Sequence, residues 1–259
     1  MYKEFRKDGF LKTITKTTPE GWADHFSVKK NLTLYEAISF TLDYRWKVIK
    51  KWIGKGSEKK VLDAGCGAGE WVEFLNRNRI RAEGLDYSPS LMGRLKDTLP
   101  DFTWHYGDIQ NLPFGNEIFD GIISWGVIEH NEAGPTAALS EFARVLNHGG
   151  VAIITVPFDS CHTRRASEYT FPQEKVTESG GEFFQYYMTP HELKAYMEEV
   201  GFDVVFARTC GGPSLMIYSP KMYNKFVNTS LFRIVNLAVK SQFWKRDLDH
   251  NVICVGVKP

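Results

Sequence analysis

Two groups of side chains in this 259-residue chain have types and spacing suited to chemistry. The first is Val61-Leu62-Asp63-Ala64-Gly65-Cys66-Gly67-Ala68-Gly69, where an apolar run ends in a carboxylate and glycine then recurs at every second position. Such glycines let a strand turn tightly into a helix and let a ligand approach bare main chain. The charges narrow the ligand. A dinucleotide loop needs G-x-G-x-x-G with a pyrophosphate at the helix N-terminus, but Glu70 holds the third glycine position. Glu70 and Asp63 would both face phosphates with like charge, and they suit an ammonium or a sulfonium. No lysine follows the glycines, so the loop is not a P-loop. The second group is Glu129-His130. An imidazole titrates near about 6.5, which suits a general base at neutral pH.

Positioning these groups requires a sheet. Apolar, β-rich runs at Lys60–Ala64, Arg81–Asp86, Phe102–His105, Phe119–Ser124, Val151–Val156, Phe202–Arg208 and Asn251–Val257 read as strands. Helical patterns lie between them. Ser88-Pro89 is an N-cap followed by proline, with Met92, Leu95 and Leu99 behind it. Leu139, Phe142, Ala143 and Leu146 keep helical spacing up to Gly149-Gly150, which is expected to stop the helix. Thr189-Pro190-His191-Glu192 is a capping box opening a helix closed by Gly201. Repeated strand–helix alternation predicts a parallel sheet covered on both faces, an α/β doubly wound architecture. Upstream, Leu34, Ile38, Leu42, Trp46, Ile49 and Ile53 predict one helix over 33–53.

The division expected is an N-terminal helical arm or lid (1–57), a core (58–210) with an insertion (158–188), a helical lid insertion (211–249), and a last core strand (250–259). Lys plus Arg number 32 and Asp plus Glu 31, a net charge of +1 that exerts no long-range pull on polyanions, so no nucleic-acid partner is expected. Cys66, Cys161, Cys210 and Cys254 form neither a CxxC pair nor a zinc spacing. The charged N-terminal residues lack the apolar stretch of a signal peptide, and no run of about 18 apolar residues exists, so a cytoplasmic location is expected. Residues 213–247 carry an apolar helical stripe and are a candidate for peripheral membrane contact. The oligomeric state stays open.

Asp63 through Gly69 resembles the first motif of class I S-adenosylmethionine-dependent methyltransferases, of the type that includes ubiquinone methyltransferases. Asp86, about 20 residues past the first glycine, matches that family's ribose-binding acid. Gly107-Asp108-Ile109 with Leu112-Pro113-Phe114 resembles its adenine-contacting segment. Phe119-Asp120 through Glu129-His130 and Val145-Leu146 with Gly149-Gly150 resemble its later motifs. The likeness covers about 58–157. It implies a Rossmann-like seven-stranded sheet ending in an antiparallel hairpin, and S-adenosylmethionine (SAM) as cofactor. It places Asp63, Gly65, Cys66 and Gly67 along the methionine part, Asp86 on the ribose, Tyr87 beside the adenine, and Asp108 and Ile109 on its edge. Ser124 or Trp125 would close the methionine side.

In that family a methyl group moves in one in-line displacement, so the protein contributes mostly alignment and exclusion of water. His130, with Glu129 beside it, is the expected base for a hydroxyl acceptor. Ubiquinone-type O-methyltransferases carry E-x-x-E-H in this stretch, a pattern that can hold magnesium. Here Gly126 replaces the first glutamate, and no metal is expected. The (N/D)-P-P-(Y/F) motif of adenine methylation is missing, as is a cysteine beside proline for cytosine. The expectation is methyl transfer to a small or medium-sized acceptor, most simply at oxygen. The alternatives are nitrogen or carbon, a non-catalytic partner subunit, or an NAD-dependent oxidoreductase. Tyr169, Phe171, Tyr186, Tyr187 and His162 are candidates for the acceptor wall, and Arg164 and Arg165 for an anionic acceptor.

Overall fold

The computed structural model describes residues 2–5, 11–14, 23, 26–160, 183–211, 229, 234, 235, 237 and 249–259. Ten strands are found among them: β1 (Tyr2–Phe5), β2 (Leu11–Ile14), β3 (Gly56–Ala64), β4 (Ile80–Asp86), β5 (Thr103–Tyr106), β6 (Phe119–Trp125), β7 (Leu146–Pro157), β8 (Phe183–Tyr187), β9 (Asp203–Cys210) and β10 (Asn251–Val257). The helices are α1 (Leu34–Leu42), α2 (Tyr44–Trp52), α3 (Glu70–Arg77), α4 (Pro89–Thr98), α5 (Thr136–Val145) and α6 (Pro190–Glu199). Seven strands form one sheet in the order β5-β4-β3-β6-β7-β10-β9. β3 through β7 run parallel, and β10 lies antiparallel to both β7 and β9. The expected doubly wound sheet with its closing antiparallel hairpin is therefore present, with order reversing between β3 and its two neighbours.

Period-2 alternation builds the two cores. Val61, Ile123, Ile153 and Ile253 point to one face, where α2, α3 and α4 add Trp46, Ile49, Phe74 and Leu95. Leu62, Ile122, Ile154 and Cys254 point to the other, where α5 and α6 add Leu139, Phe142, Leu193 and Met197. Both faces are covered, which explains why the strands read as apolar runs.

Three expectations change. The helix over 33–53 is two helices. Asp43 has extended backbone (φ −60, ψ 135), closes α1, and caps α2 by accepting a hydrogen bond from Arg45 N. The apolar period runs through this break, so periodicity alone misses it. Residues 146–150 join β7 instead of extending α5, because Leu146 pairs with Phe119 and the Gly149–Gly150 main chain bonds to Lys258. The N-terminal arm begins with strands rather than helix: β1 and β2 pair with β8 in a separate antiparallel sheet. That sheet touches the main body where the Tyr186 hydroxyl donates to Glu132 O at 2.7 Å. Most of the segments 158–188 and 211–249 lies outside the described residues, including His162, Arg164, Arg165, Tyr169 and Phe171. Among the described residues no helix is long and apolar enough to cross a membrane.

Gly69 and Gly93 should respond oppositely to alanine. Gly69 has φ +77, and a Cβ there would lie 2.5 Å from the Trp104 ring, so Gly69→Ala is expected to lower stability by about 2–4 kcal/mol. Gly93 is exposed within α4 and a Cβ there meets nothing within 4 Å, so Gly93→Ala should raise stability by about 0.5–1 kcal/mol. Denaturant unfolding of both variants reads the difference.

Candidate active site

The strand order reverses at β3, and a cavity of about 670 Å³ opens at the carboxyl ends of β3, β4 and β6. Its floor is the glycine loop. The N–H groups of Gly65 and Cys66 both donate to Leu85 O, at 2.8 and 2.9 Å, which pins the loop against β4. The loop backbone is left-handed, with φ of +85 at Gly65, +51 at Gly67 and +77 at Gly69. The protein itself fills the space beside each glycine. A Cβ on Gly65 would strike Val127, one on Gly67 would strike the Phe26 ring, and one on Gly69 would strike Trp104. Close internal packing thus demands these glycines independently of any ligand.

Ten of the twelve expected site residues line this cavity. They are Asp63, Gly65, Cys66 and Gly67 from the first turn, Asp86 and Tyr87 from β4, Asp108 and Ile109 after β5, and Trp125 and His130 around the end of β6. Two stand behind the wall. Ser124 is fully buried and donates to Ala64 O at 2.9 Å, so it braces β6 against β3 and is not among the lining residues. Glu129 is 1% exposed and sits in the turn Ile128–His130, with Oε1 4.0 Å from His130 Nε2. Tyr186 and Tyr187, expected in the acceptor wall, are buried and are not among the lining residues.

The carboxylates differ in their support. Asp86 accepts from Gly67 N at 3.1 Å and from Ser88 N at 3.2 Å, so it joins the glycine loop to the start of α4. Ser88, not Asp86, is the N-cap of that helix. Burial raises the Asp86 carboxyl, and these main-chain donors oppose the rise. Asp63 is 1% exposed, and its Oδ1 has no hydrogen-bond partner. Burial first, and the Asp86 charge second, push it up to about 8, against the pull of Arg45. Glu129, whose Oε2 likewise lacks a partner, is pushed up to about 8 by burial. Burial also holds the Cys66 thiol well above its ordinary value. Asp108 is exposed and accepts from Gln110 N at 2.9 Å, which shapes the loop after β5. Gln110 in turn accepts from Asn131 Nδ2 at 2.5 Å, linking the loops after β5 and β6.

Sequence reading missed the contributors from upstream. Arg45 lines the cavity, ion-paired with Asp43 and stacked over Trp71 and Trp125 at 4.9 and 5.2 Å. Phe26 lies on Gly67, and its segment is tied down: Arg94 donates to the carbonyls of Ala23 and Phe26, and Leu32 N donates to buried Glu73. Phe40 and Trp71 pack edge to face at 4.8 Å on the same side. The one available signal was Asp43-x-Arg45, a polar pair off the apolar stripe.

Comparison with known proteins shows the family and the fold. A family model described as a methyltransferase domain matches residues 41–206. An uncharacterized methyltransferase of Synechocystis is 30% identical over 175 residues, 66% of this chain and 78% of that one. A ubiquinone/menaquinone biosynthesis C-methyltransferase of Campylobacter jejuni is 29% identical over 131 residues, 45% of this chain and 54% of its own; the match spans about half the length of that relative. Among solved structures, the PH0226 protein of Pyrococcus horikoshii superimposes with a TM-score of 0.60 at 17% identity, covering 90% of this chain and 94% of that one. Geranyl diphosphate C-methyltransferase of Streptomyces coelicolor, solved with Mg2+, geranyl diphosphate and S-adenosyl-L-homocysteine, gives 0.54 at 15% identity, covering 82% and 76%. The structural likenesses concern the fold.

The raised carboxyl of Glu129 makes a stability prediction. Its native state holds a proton that the unfolded chain has lost above about pH 4.5, so this group's contribution to stability falls as pH rises toward about 8 and then levels off. Glu129→Gln stays neutral throughout. Relative to wild type, the variant is expected to gain about 1–3 kcal/mol between pH 5 and pH 9, read by urea unfolding at each pH.

Proposed function

This chain belongs to the methyltransferase-domain family and is a SAM-dependent methyltransferase, and from that premise we propose that it methylates a hydroxyl oxygen of a small or medium-sized acceptor. The observation that carries the reading is His130, at the cavity wall after β6 with the buried Glu129 carboxyl behind it. The cavity suits the cofactor. A buried, unpartnered Asp63 oxygen and the neighbouring Asp86 and Glu70 form an acidic floor for a cationic ligand.

SAM supplies a methyl group on a sulfonium whose charge vanishes on transfer. The protein's own residues divide the remaining tasks. In this reading Asp86 holds the ribose hydroxyls, since its two oxygens already fix the loop and the strand end to one another. Tyr87 and Ile109 flank the base, and Asp108 accepts from its amine. Trp71, Trp125 and Phe40 keep water from the reacting end, which favours the in-line approach. His130 Nε2 accepts the acceptor's hydroxyl proton, a step that speeds such reactions by about 10²–10⁴. Glu129 Oε1 lies 4.0 Å from Nε2, and the imidazolium that results would draw this buried carboxyl toward ionisation.

A second reading is methylation at a ring carbon of a hydroquinone, favoured by the C-methyltransferase among the relatives. There too the hydroxyl proton must leave, so His130 keeps its task and only the nucleophilic atom differs.

With isotopically labelled SAM and a panel of phenols, catechols and hydroquinones, product NMR is expected to place the label on oxygen; label on carbon would decide for the second reading. His130→Ala should lower kcat by about 10²–10⁴ with cofactor affinity retained, and should abolish the acidic limb of the pH–rate profile. Asp86→Ala should instead weaken cofactor binding, by about 10-fold or more on calorimetry.

A further inference from the structure

The imidazole at the cavity wall stands on a slight piece of structure. His130 ends a single 3-10 turn, Ile128–His130, whose start at Val127 has no side-chain cap. Its N–H donates to Val127 O at 3.2 Å, and Gly126 just upstream is left-handed with φ +69. Ile128 is buried and anchors the start of the turn, but His130 lies at its free end. A lone 3-10 turn has poor hydrogen-bond geometry and little stiffness of its own. A general base must reach its proton at about 2.6–3.2 Å, and about 1 Å of misplacement can cost about 10²-fold in rate. Groups outside the turn must therefore fix the ring.

Asn131, directly after His130, offers a donor and an acceptor, and they face different partners. Its Oδ1 accepts from Ala133 N at 3.0 Å, and its main-chain O accepts from Gly134 N at 3.0 Å, which closes the turn that follows. The bond from Ala133 fixes which way the amide faces. Nδ2 then points to the loop after β5, where it donates to Gln110 Oε1 at 2.5 Å. That loop is a firm post. Gln110 N donates to Asp108 Oδ1 at 2.9 Å, Asn111 N to Asp108 O at 3.0 Å, and Leu112 N to Glu141 of α5 at 2.7 Å. On the other flank the Tyr186 hydroxyl of β8 holds Glu132 O. Gln110, His130 and Asn131 all line the cavity.

We propose that Asn131 is a positioning residue for His130: its hydrogen bond to Gln110 ties the imidazole-bearing turn to the loop that carries Asp108 and Ile109. The inference rests on the reading of His130 as the base and of that loop as the edge of the adenine site. Asp108, Ile109 and Gln110 are consecutive, so a ligand that orders the first two also orders the side chain from which the turn is hung. Seating of the cofactor and placement of the base become one event. Asn131 moves no proton itself. Its amide is suited to the task because it bonds in two directions at once, to its own loop and across to the next.

Steady-state kinetics test this, with SAM and whichever phenol, catechol or hydroquinone of the panel the wild type methylates fastest, beside calorimetry with S-adenosylhomocysteine. Asn131→Ala is expected to lower kcat by about 5- to 30-fold. Its affinity for S-adenosylhomocysteine should stay within about 3-fold of wild type, and the acidic limb of the pH–rate profile should persist, because the imidazole is still present. Gln110→Ala, at an exposed side chain, should behave alike and decides the matter where Asn131→Ala fails to fold. Gln110→Glu keeps an acceptor for the Asn131 amide and should recover most of what Gln110→Ala loses. A kcat within about 2-fold of wild type in both alanine variants, or a Gln110→Glu as slow as Gln110→Ala, would overturn the inference. So would a parallel loss of cofactor affinity, the result expected of residues that only keep the loops folded. A slow His130→Ala beside fast alanine variants removes this inference alone. A His130→Ala that keeps full kcat, or a panel without a methylated member, removes the reading of the base and this inference with it.

Discussion

A carboxylate taken out of water at the end of β3, with one oxygen unpaired, is the constraint around which the site is arranged. Desolvating a charged carboxylate is unfavourable unless a partner replaces the lost water, and Asp63 lacks that full complement. The nearby Asp86 charge raises the penalty, and Arg45 relieves part of it. The fold tolerates the arrangement because the two large cores on either side of the sheet supply ample apolar burial. A stressed acid in a cavity has a strong preference for a cationic ligand. A sulfonium-bearing amino acid answers that preference better than a dinucleotide.

The surrounding structure fixes this acid and its neighbours. The glycine loop is held by two hydrogen bonds to Leu85 O, and Val127, Phe26 and Trp104 pack where side chains would otherwise stand. The loop cannot drift without disturbing β4, β5, the arm and the turn after β6 together. Asp86 adds a further tie by accepting from both the loop and the start of α4. In the proposed reading, cofactor and acceptor ends therefore share one frame, which suits a reaction whose barrier is lowered mainly by alignment.

The acceptor end follows a different rule. Gly126 stands three residues before Glu129 with φ +69, and a Cβ on it would lie 3.3 Å from Glu129 Oε1. Replacing a second carboxylate by glycine leaves one buried acid and one imidazole at this wall. In the proposed reading this pair holds and moves a proton. The buried acid stays neutral through most of the physiological range, and an imidazolium forming beside it would draw it toward ionisation.

The sequence by itself determined the seven strands of the main sheet, their alternation with helices, the acidic glycine loop and the spacing to Asp86, because each is a local pattern: period 2, period 3.6, a cap, or a fixed number of residues along one βα unit. It placed ten cavity residues for the same reason, since the ends of β3, β4, β5 and β6 meet wherever a parallel sheet reverses its order. Tertiary structure alone decided the rest. Arg45 and Phe26 come from elements distant along the chain, and no local period marks what they touch. Ser124 and Glu129 read in sequence as lining residues, and strand pairing and the turn after β6 instead set them behind the wall, Ser124 against Ala64 and Glu129 beside His130. Asp43 sits inside an unbroken apolar period, and only its own backbone, turning to cap α2, shows that one helix is two. Local chemistry writes the strand ends; which side chains then face a shared cavity depends on packing between segments far apart in sequence.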